Sequence, residues 1–305
     1  MSIVALSGGV GGARFLRGLA DVVDPAELTV IGNVGDDVEV LGLHVSPDLD
    51  SILYALAALG DEERGWGRAD ETWRALEEAE RFGGETWFRL GDRDLGLHLV
   101  RTQALARGEP LSAVTERLAR LAGVRVRLLP STDERLRTWV ETPAGPLAFQ
   151  DWFVARRHAD DVDGVRFEGA EQARPAPGVL EALEAARLIV IAPSNPYISV
   201  WPILAVRAIR EALARRSVPV IAVSPIVGGR AVKGPADRML TRMAGGTSPA
   251  HVAGCYEGLI DALVVDEADA GSVDGLALRV VVTKTLMVGD ASRRRLAEAV
   301  LESAS

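Results

Sequence analysis

At 305 residues with 48% hydrophobic content, the chain can bury a large core as one big domain or two ordinary ones, and its formal net charge of -9 argues against general affinity for nucleic-acid backbones. A single cysteine, Cys255, excludes an internal disulfide or a Cys-rich metal site, and four histidines offer little to a soft metal, so any metal is expected to be hard and oxygen-bound. No apolar run is long enough for a membrane span and no signal peptide is evident, which predicts a cytoplasmic protein without a membrane partner.

The first strand is Ile3-Val4-Ala5-Leu6. It stops at Ser7 and is followed by Gly8, Gly9, Gly11 and Gly12, after which Ala13, Phe15, Leu16, Leu19 and Ala20 recur at helical spacing. Glycines permit positive φ and close approach of a ligand to the amides, while a helix start supplies unpaired N–H groups and a positive dipole. Such a loop suits a phosphate. Neither the G-x-G-x-x-G dinucleotide fingerprint nor G-K-[ST] is present, so a plain strand-to-helix turn is the competing reading. A second strand, Leu28-Thr29-Val30-Ile31, runs into Gly32-Asn33, and the next acids are Asp36 and Asp37.

Residues 46 to 59 predict a helix that buries Leu49, Ile52, Leu53, Leu56 and Leu59, with Ser46 or Asp48 as its cap. Asp48 and Asp50 either complement the helix dipole or face the glycine loop with Asp36, where they would hold a divalent cation or a substrate hydroxyl. Helices are expected over 70–82, 95–108 and 111–121. Between the first two, Arg89, Asp92, Arg93, Asp94 and His98 crowd a turn beside Trp87 and Phe88, as a solvated cap would or as a planar polar ligand would require.

From Val124 the period becomes that of a strand, expected to be antiparallel, and ends at Pro130 before Ser131-Thr132-Asp133, a turn or an anion-facing cap. Arg137 to Glu141 and Leu147 to Gln150 flank Pro143-Ala144-Gly145 as a hairpin. The resulting fold is α/β: a Rossmann-like, mostly parallel sheet with helices on both faces, formed by residues 1–60 and 176–305, with 61–175 an inserted α+β lobe.

Strands Leu188 to Ile191, Pro219 to Val223, Leu263 to Val265 and Leu278 to Val282 complete the core, and Asp290 is expected to cap the last helix. Ligands of such sheets collect at the carboxyl ends of strands. Gly8 to Gly12, Asn33, Ser194-Asn195 and Ser224 to Gly234 should therefore share one edge as a nucleotide cleft, where Gly228, Gly229 and Gly234 allow close approach and Arg230, Lys233 and Arg238 could neutralise a diphosphate.

In order, the strings SGGVGGAR, SPDLDSILY, RLGDRDL, FQDW, APSNP and SPIVGGRAVKGPADRM resemble the 2-phospho-L-lactate transferase family of coenzyme F-420 biosynthesis, including its bacterial phosphoenolpyruvate-type members, across nearly the whole chain. Ser131-Thr132-Asp133 and Trp201-Pro202-Ile203 depart from the family's Met-Ser-Asp and Gly-Pro-Ile. The resemblance implies magnesium-dependent transfer from lactyl- or enolpyruvyl-diphospho-guanosine to the deazaflavin Fo, releasing GMP and F-420-0 or its dehydro form. It further implies that Asp48 and Arg89 contact Fo, that the inserted lobe helps form the deazaflavin site, and that the protein is a homodimer. The nucleotide and its diphosphate would be held by Gly8, Gly9, Gly11, Gly12, Arg14, Asn33, Ser194, Asn195, Gly228, Gly229 and Lys233.

Within that reading, Asp48 orients or deprotonates the attacking hydroxyl, Asp50 assists, and Asp36 or Asp50 ligates Mg2+. Another nucleotide-diphosphate-dependent transferase and a non-catalytic nucleotide-binding regulator are the alternatives that the glycine loops by themselves would also permit.

Overall fold

A computed structural model describes residues 2–304; positions 1 and 305, the two ends assigned to the core, lie outside the described residues. Seven parallel strands form the central sheet: β1 (Ile3–Ser7), β2 (Leu28–Gly32), β3 (Arg127–Pro130), β4 (Leu188–Ile191), β5 (Val220–Val223), β6 (Ala262–Asp266) and β7 (Arg279–Thr283). Their spatial order is β7-β6-β5-β4-β1-β2-β3. The direction of winding reverses between β1 and β4, and the crevice at such a switch point is where open α/β sheets bind ligands.

Every residue of β1, β4, β5 and β6 is buried, which requires apolar cover on both faces of the sheet. One covering helix, Gly9–Val22, packs between helices Pro47–Leu56 and Asp290–Glu302. Gly18 is the close-packing point, because a Cβ there would meet Arg293 of the terminal helix. Val179–Ala185 and Arg207–Arg215 pack against one another as a further pair.

The Rossmann-like parallel sheet is as the sequence predicts, but its membership differs. β3 lies within the stretch assigned to the inserted lobe, yet it pairs in parallel with β2, from Thr29 opposite Arg127 to Gly32 opposite Pro130. Arg125 and Arg127 suggest a strand with one wet face; Leu128, Leu129 and Pro130 are nevertheless buried in succession, with helix Leu111–Leu121 packed on the strand. The separate antiparallel unit is smaller: the expected hairpin Arg137–Thr142 with Gly145–Ala148, joined by Gly164–Glu168. The terminal helix is capped at Gly289, and Asp290 is its first residue, ion-paired to Arg293 at 2.8 Å. Among the described residues, no helix is long and apolar enough to cross a membrane.

Candidate active site

A cavity of about 810 Å³ opens at the carboxyl edge of the sheet, over the switch point. On one side it is lined by Gly8, Gly9, Gly11 and Arg14, by residues 193–195 after β4, by Ser224 after β5, and by residues 232–236. Facing these are Asp36, Asp48, Asp50 and Tyr54, with Arg89, Asp94 and His98 beyond them.

The glycines lie in the first turn of a helix rather than in a loop before it. Helix Gly9–Val22 has Gly8 at its cap, no side-chain cap bond and no acid in its first turn. The Gly9 amide faces Asp48, so it is the amides after it that are left to a ligand, and the dipole favours an anion. Side chains are barred here for packing reasons: a Cβ on Gly11 would lie 2.7 Å from the Pro193 carbonyl, and one on Gly12 would strike the hydroxyls of Ser7 and Ser194. Gly12 does not line the cavity; it lets the helix seat against the sheet edge. Ser194 fixes the cradle from the other side, its Oγ donating to the Gly8 carbonyl at 2.7 Å. Asn195 lines the cavity while its Oδ1 accepts from the Tyr197 amide at 3.0 Å.

Two cations stand beside this cradle, and both are engaged by carbonyls of the segment after helix Pro47–Leu56. Arg14 Nη2 donates to Glu62 O at 3.2 Å, and Lys233 Nζ donates to Arg64 O and Gly65 O at 3.3 Å each. Burial, then the Arg14 charge, lowers the Lys233 ammonium below its usual pKa. An anion between them would relieve that repulsion.

The opposite wall is acidic and dry. Asp36 and Asp48 are 5% and 6% exposed. Burial, followed by the adjacent Asp48 carboxylate, pushes Asp36 well above the ordinary carboxylate range, and its Oδ1 has no hydrogen-bond partner. Burial raises Asp48 to about 6 against the opposing effects of Asn33 and the Gly9 amide. Asn33 is not in the cavity lining but behind it: its Nδ2 donates to Asp48 Oδ2 at 2.9 Å and to Ile198 O at 3.2 Å, and its Oδ1 accepts from Gly35 N at 2.7 Å. It therefore positions Asp48. Asp48 in turn abuts the glycine helix, since a Cβ on Gly8 would collide with its Oδ2.

Asp50, two residues on, has a different occupation from the expected metal ligand. Arg101, 2% exposed, engages both of its carboxylate oxygens, one of them at 2.9 Å. The Asp50 charge is therefore neutralised inside the protein. Asp36, desolvated beside Asp48 and with its Oδ1 unpartnered, fits a hard divalent ion; among the described residues no three His, Cys, Asp or Glu side chains group to hold a metal unaided, so ligand oxygens would have to complete the shell.

The inserted segment supplies the aromatic and far walls. Trp66, Trp87, Phe88 and Arg89 line the cavity, with the Arg89 guanidinium 4.5 Å from the ring centre of Trp73. Phe149 and Phe153, stacked at 5.2 Å, line it further on.

Of the residues expected to share the cleft, Gly228 and Gly229 do not line it. Their amides each donate to Asp269 at 2.9 Å, and with φ of +58° and +75° they form the turn of a small hairpin, Ile226–Val227 with Arg230–Ala231, that presents residues 232–236. Asp133 caps helix Leu111–Leu121 from outside, accepting from Ser112 N at 2.6 Å and Ser112 Oγ at 2.8 Å, rather than facing an anion. Trp201 stays out of the lining, its Nε1 donating to Cys255 O at 3.0 Å and its ring edge-on to Tyr197. Tyr54 and Arg101 carried no functional expectation. Tyr54 sits at a position that reads as apolar helix face, and Arg101 finds its partner 51 residues away.

The model of the family 2-phospho-L-lactate transferase CofD matches residues 3–286. Proteins named phosphoenolpyruvate transferase from Streptomyces griseus and Streptomyces coelicolor are 48% and 49% identical over 280 and 279 residues, 90% of this chain and 88% of each relative. One from Mycolicibacterium smegmatis is 41% identical over 303 residues, covering 92% of both chains. A crystal structure of a upf0052 family protein from Bacillus halodurans shares the fold, with a TM-score of 0.65 at 19% identity over 98% of each chain.

Proposed function

The chain belongs to the 2-phospho-L-lactate transferase family and is a transferase, and from that premise we propose that it moves a phosphoenolpyruvyl group from enolpyruvyl-diphospho-guanosine to Fo, giving dehydro-F-420-0 and GMP in coenzyme F-420 biosynthesis. The relatives named phosphoenolpyruvate transferase favour the enolpyruvyl over the lactyl donor.

The observation that carries the reading is the abutment of Asp48 against the bare start of the glycine helix. A diphosphate seated on those amides presents its phosphorus to an acceptor hydroxyl held by Asp48. The ribityl oxygen then forms a bond to the phosphorus bearing the three-carbon acid, the bond from that phosphorus to the bridging oxygen breaks, and GMP departs with the electron pair. The hydroxyl proton passes to Asp48, whose elevated pKa of about 6 makes it a stronger base than an ordinary carboxylate while leaving it ionised at neutral pH.

Arg14 and Lys233 counter the charge of the donor, and Arg89 aligns the deazaflavin beside the aromatic wall. Magnesium, held by Asp36 and donor oxygens, would supply further charge neutralisation at the diphosphate and leave Asp48 free as the base. Asp50 supports the acidic wall through Arg101 instead of ligating the ion.

The test is incubation with Fo, magnesium and an equimolar mixture of lactyl- and enolpyruvyl-diphospho-guanosine, with products read by mass spectrometry. Dehydro-F-420-0 should dominate, with one GMP per product. A predominance of F-420-0 would reassign the donor, and nucleotide binding without turnover would favour a regulator.

A further inference from the structure

Behind the Arg89 wall, three polar side chains line the cavity without serving the phosphate cradle or the Asp36–Asp48 pair: Tyr54, Asp94 and His98. All three are buried, with Asp94 only 5% exposed. Asp94 is not needed as a helix cap. At the start of helix Asp92–Ala106 the capping contacts come from Glu71, which takes the Arg93 amide at 2.8 Å and the Asp94 amide at 2.9 Å. The Tyr54 hydroxyl faces Asp94, but neither it nor Asp94 Oδ1 closes a hydrogen bond of normal geometry. Two adjacent buried polar atoms left open in a cavity wall are costly unless a ligand completes them.

Their hydrogen-bonding characters are fixed by their surroundings. The third member, His98, accepts at Nδ1 from Arg101 Nη1 at 3.3 Å; a guanidinium can only donate, so Nε2 carries the ring proton. The imidazole is kept neutral by burial, with its pKa pushed down to about 4. A phenol donates, a carboxylate accepts and this imidazole donates.

We infer that Tyr54, Asp94 and His98 form a donor–acceptor–donor subsite for the imide edge of the acceptor's heterocycle, the C(=O)–NH–C(=O) unit of a pyrimidinedione ring. This rests on the proposed deazaflavin acceptor and deepens it. Asp94 takes the imide N–H, while the phenol and the imidazole each donate to a flanking carbonyl. Trp66, Trp87 and Phe88 supply faces for the ring plane. Recognition by buried polar groups gives strong discrimination, because a ligand lacking the matching N–H leaves the carboxylate unpaired.

The test compares Fo with its N3-methyl derivative as acceptors for the intact enzyme, with the donor held constant. The wild type should lose about 100-fold in kcat/KM on methylation, mostly through KM, as expected for a lost charged hydrogen bond. Asp94→Ala should weaken Fo by a similar factor, treat the two acceptors within a few-fold of each other, and leave the KM of the donor unchanged. Equal use of both acceptors by the wild type would overturn the subsite while the transferase reading stands. A shift in the donor's KM in Asp94→Ala would likewise overturn it, because the carboxylate would then read the donor's base. Absence of any transfer to Fo would sink both readings. Should Asp94→Ala fail to fold, the wild-type ratio alone decides.

Discussion

Two helices begin at the same cavity and treat their first turns in opposite ways. Gly9–Val22 starts with no acid and no side-chain cap, whereas Pro47–Leu56 starts with Asp48 and Asp50, both buried. The same excess of unpaired amides that leaves one end ready for an anion stabilises carboxylates on the other. One end thus suits an anion, and in the proposed reaction it takes the donor's phosphates. The other is a built-in negative wall, assigned in the proposed reaction to a hydroxyl and a cation. Gly8 abuts Asp48 where the two walls meet, which in the proposed reaction would set donor and acceptor side by side.

The sharpest way to break this contrast is to remove the charge from one wall alone. Asp48→Asn should preserve the fold and lower kcat by about 10²- to 10⁴-fold, the range expected for loss of a general base, as followed by GMP release at saturating donor. Next in size is Arg101→Leu, which would strand the buried Asp50 carboxylate; urea unfolding should report a loss of about 3–5 kcal/mol. On the bare wall, Gly11→Ala would press a methyl group onto the Pro193 carbonyl, and the displaced helix start should cost about 1–3 kcal/mol in stability while raising the donor's KM. Lys233→Met should raise the KM of the donor about 10-fold and leave that of Fo unchanged, since in the proposed reaction the ammonium counters the donor's phosphates.

The smallest effect sharpens the acidic side through pH. Burial raises Asp94 to about 6, so between roughly pH 4 and 6 the folded state binds more protons there than the unfolded chain does. Its contribution to stability is greatest at low pH and is lost as pH rises through about 6. His98, depressed to about 4 by burial, acts in the opposite sense: its neutral form makes stability rise as pH increases from about 4 toward 6.5. Asp94→Asn should remove only the first trend, so the variant's unfolding free energy should climb with pH across this window more steeply than the wild type's.

Much of the sheet was legible because its strands are buried on both faces and announce themselves as short β-branched runs, as in Leu188–Ile191 and Val220–Val223. β3 is not legible as a sheet strand because its pairing with β2 spans nearly a hundred residues, and the arginines around it mimic a half-wet strand. At the cavity, glycine spacing points to the helix start that lines it, and S-P-D-L-D to the two aspartates on its wall. The same glycine signal misled at Gly228 and Gly229, whose positive φ serves a turn and whose amides belong to Asp269. Neither Arg101 nor Tyr54 could be found locally. Their significance comes from Asp50 and Asp94 packing against them, and helix periodicity carries no record of those contacts.

The most direct test is a crystal structure of the enzyme with GDP, magnesium and Fo bound together. The β-phosphate should lie within hydrogen-bonding distance of the Val10 and Gly11 amides, with a ribityl hydroxyl of Fo on the Asp48 carboxylate and facing that phosphorus. A diphosphate seated on Gly228 and Gly229, or an Fo hydroxyl remote from Asp48, would contradict the account.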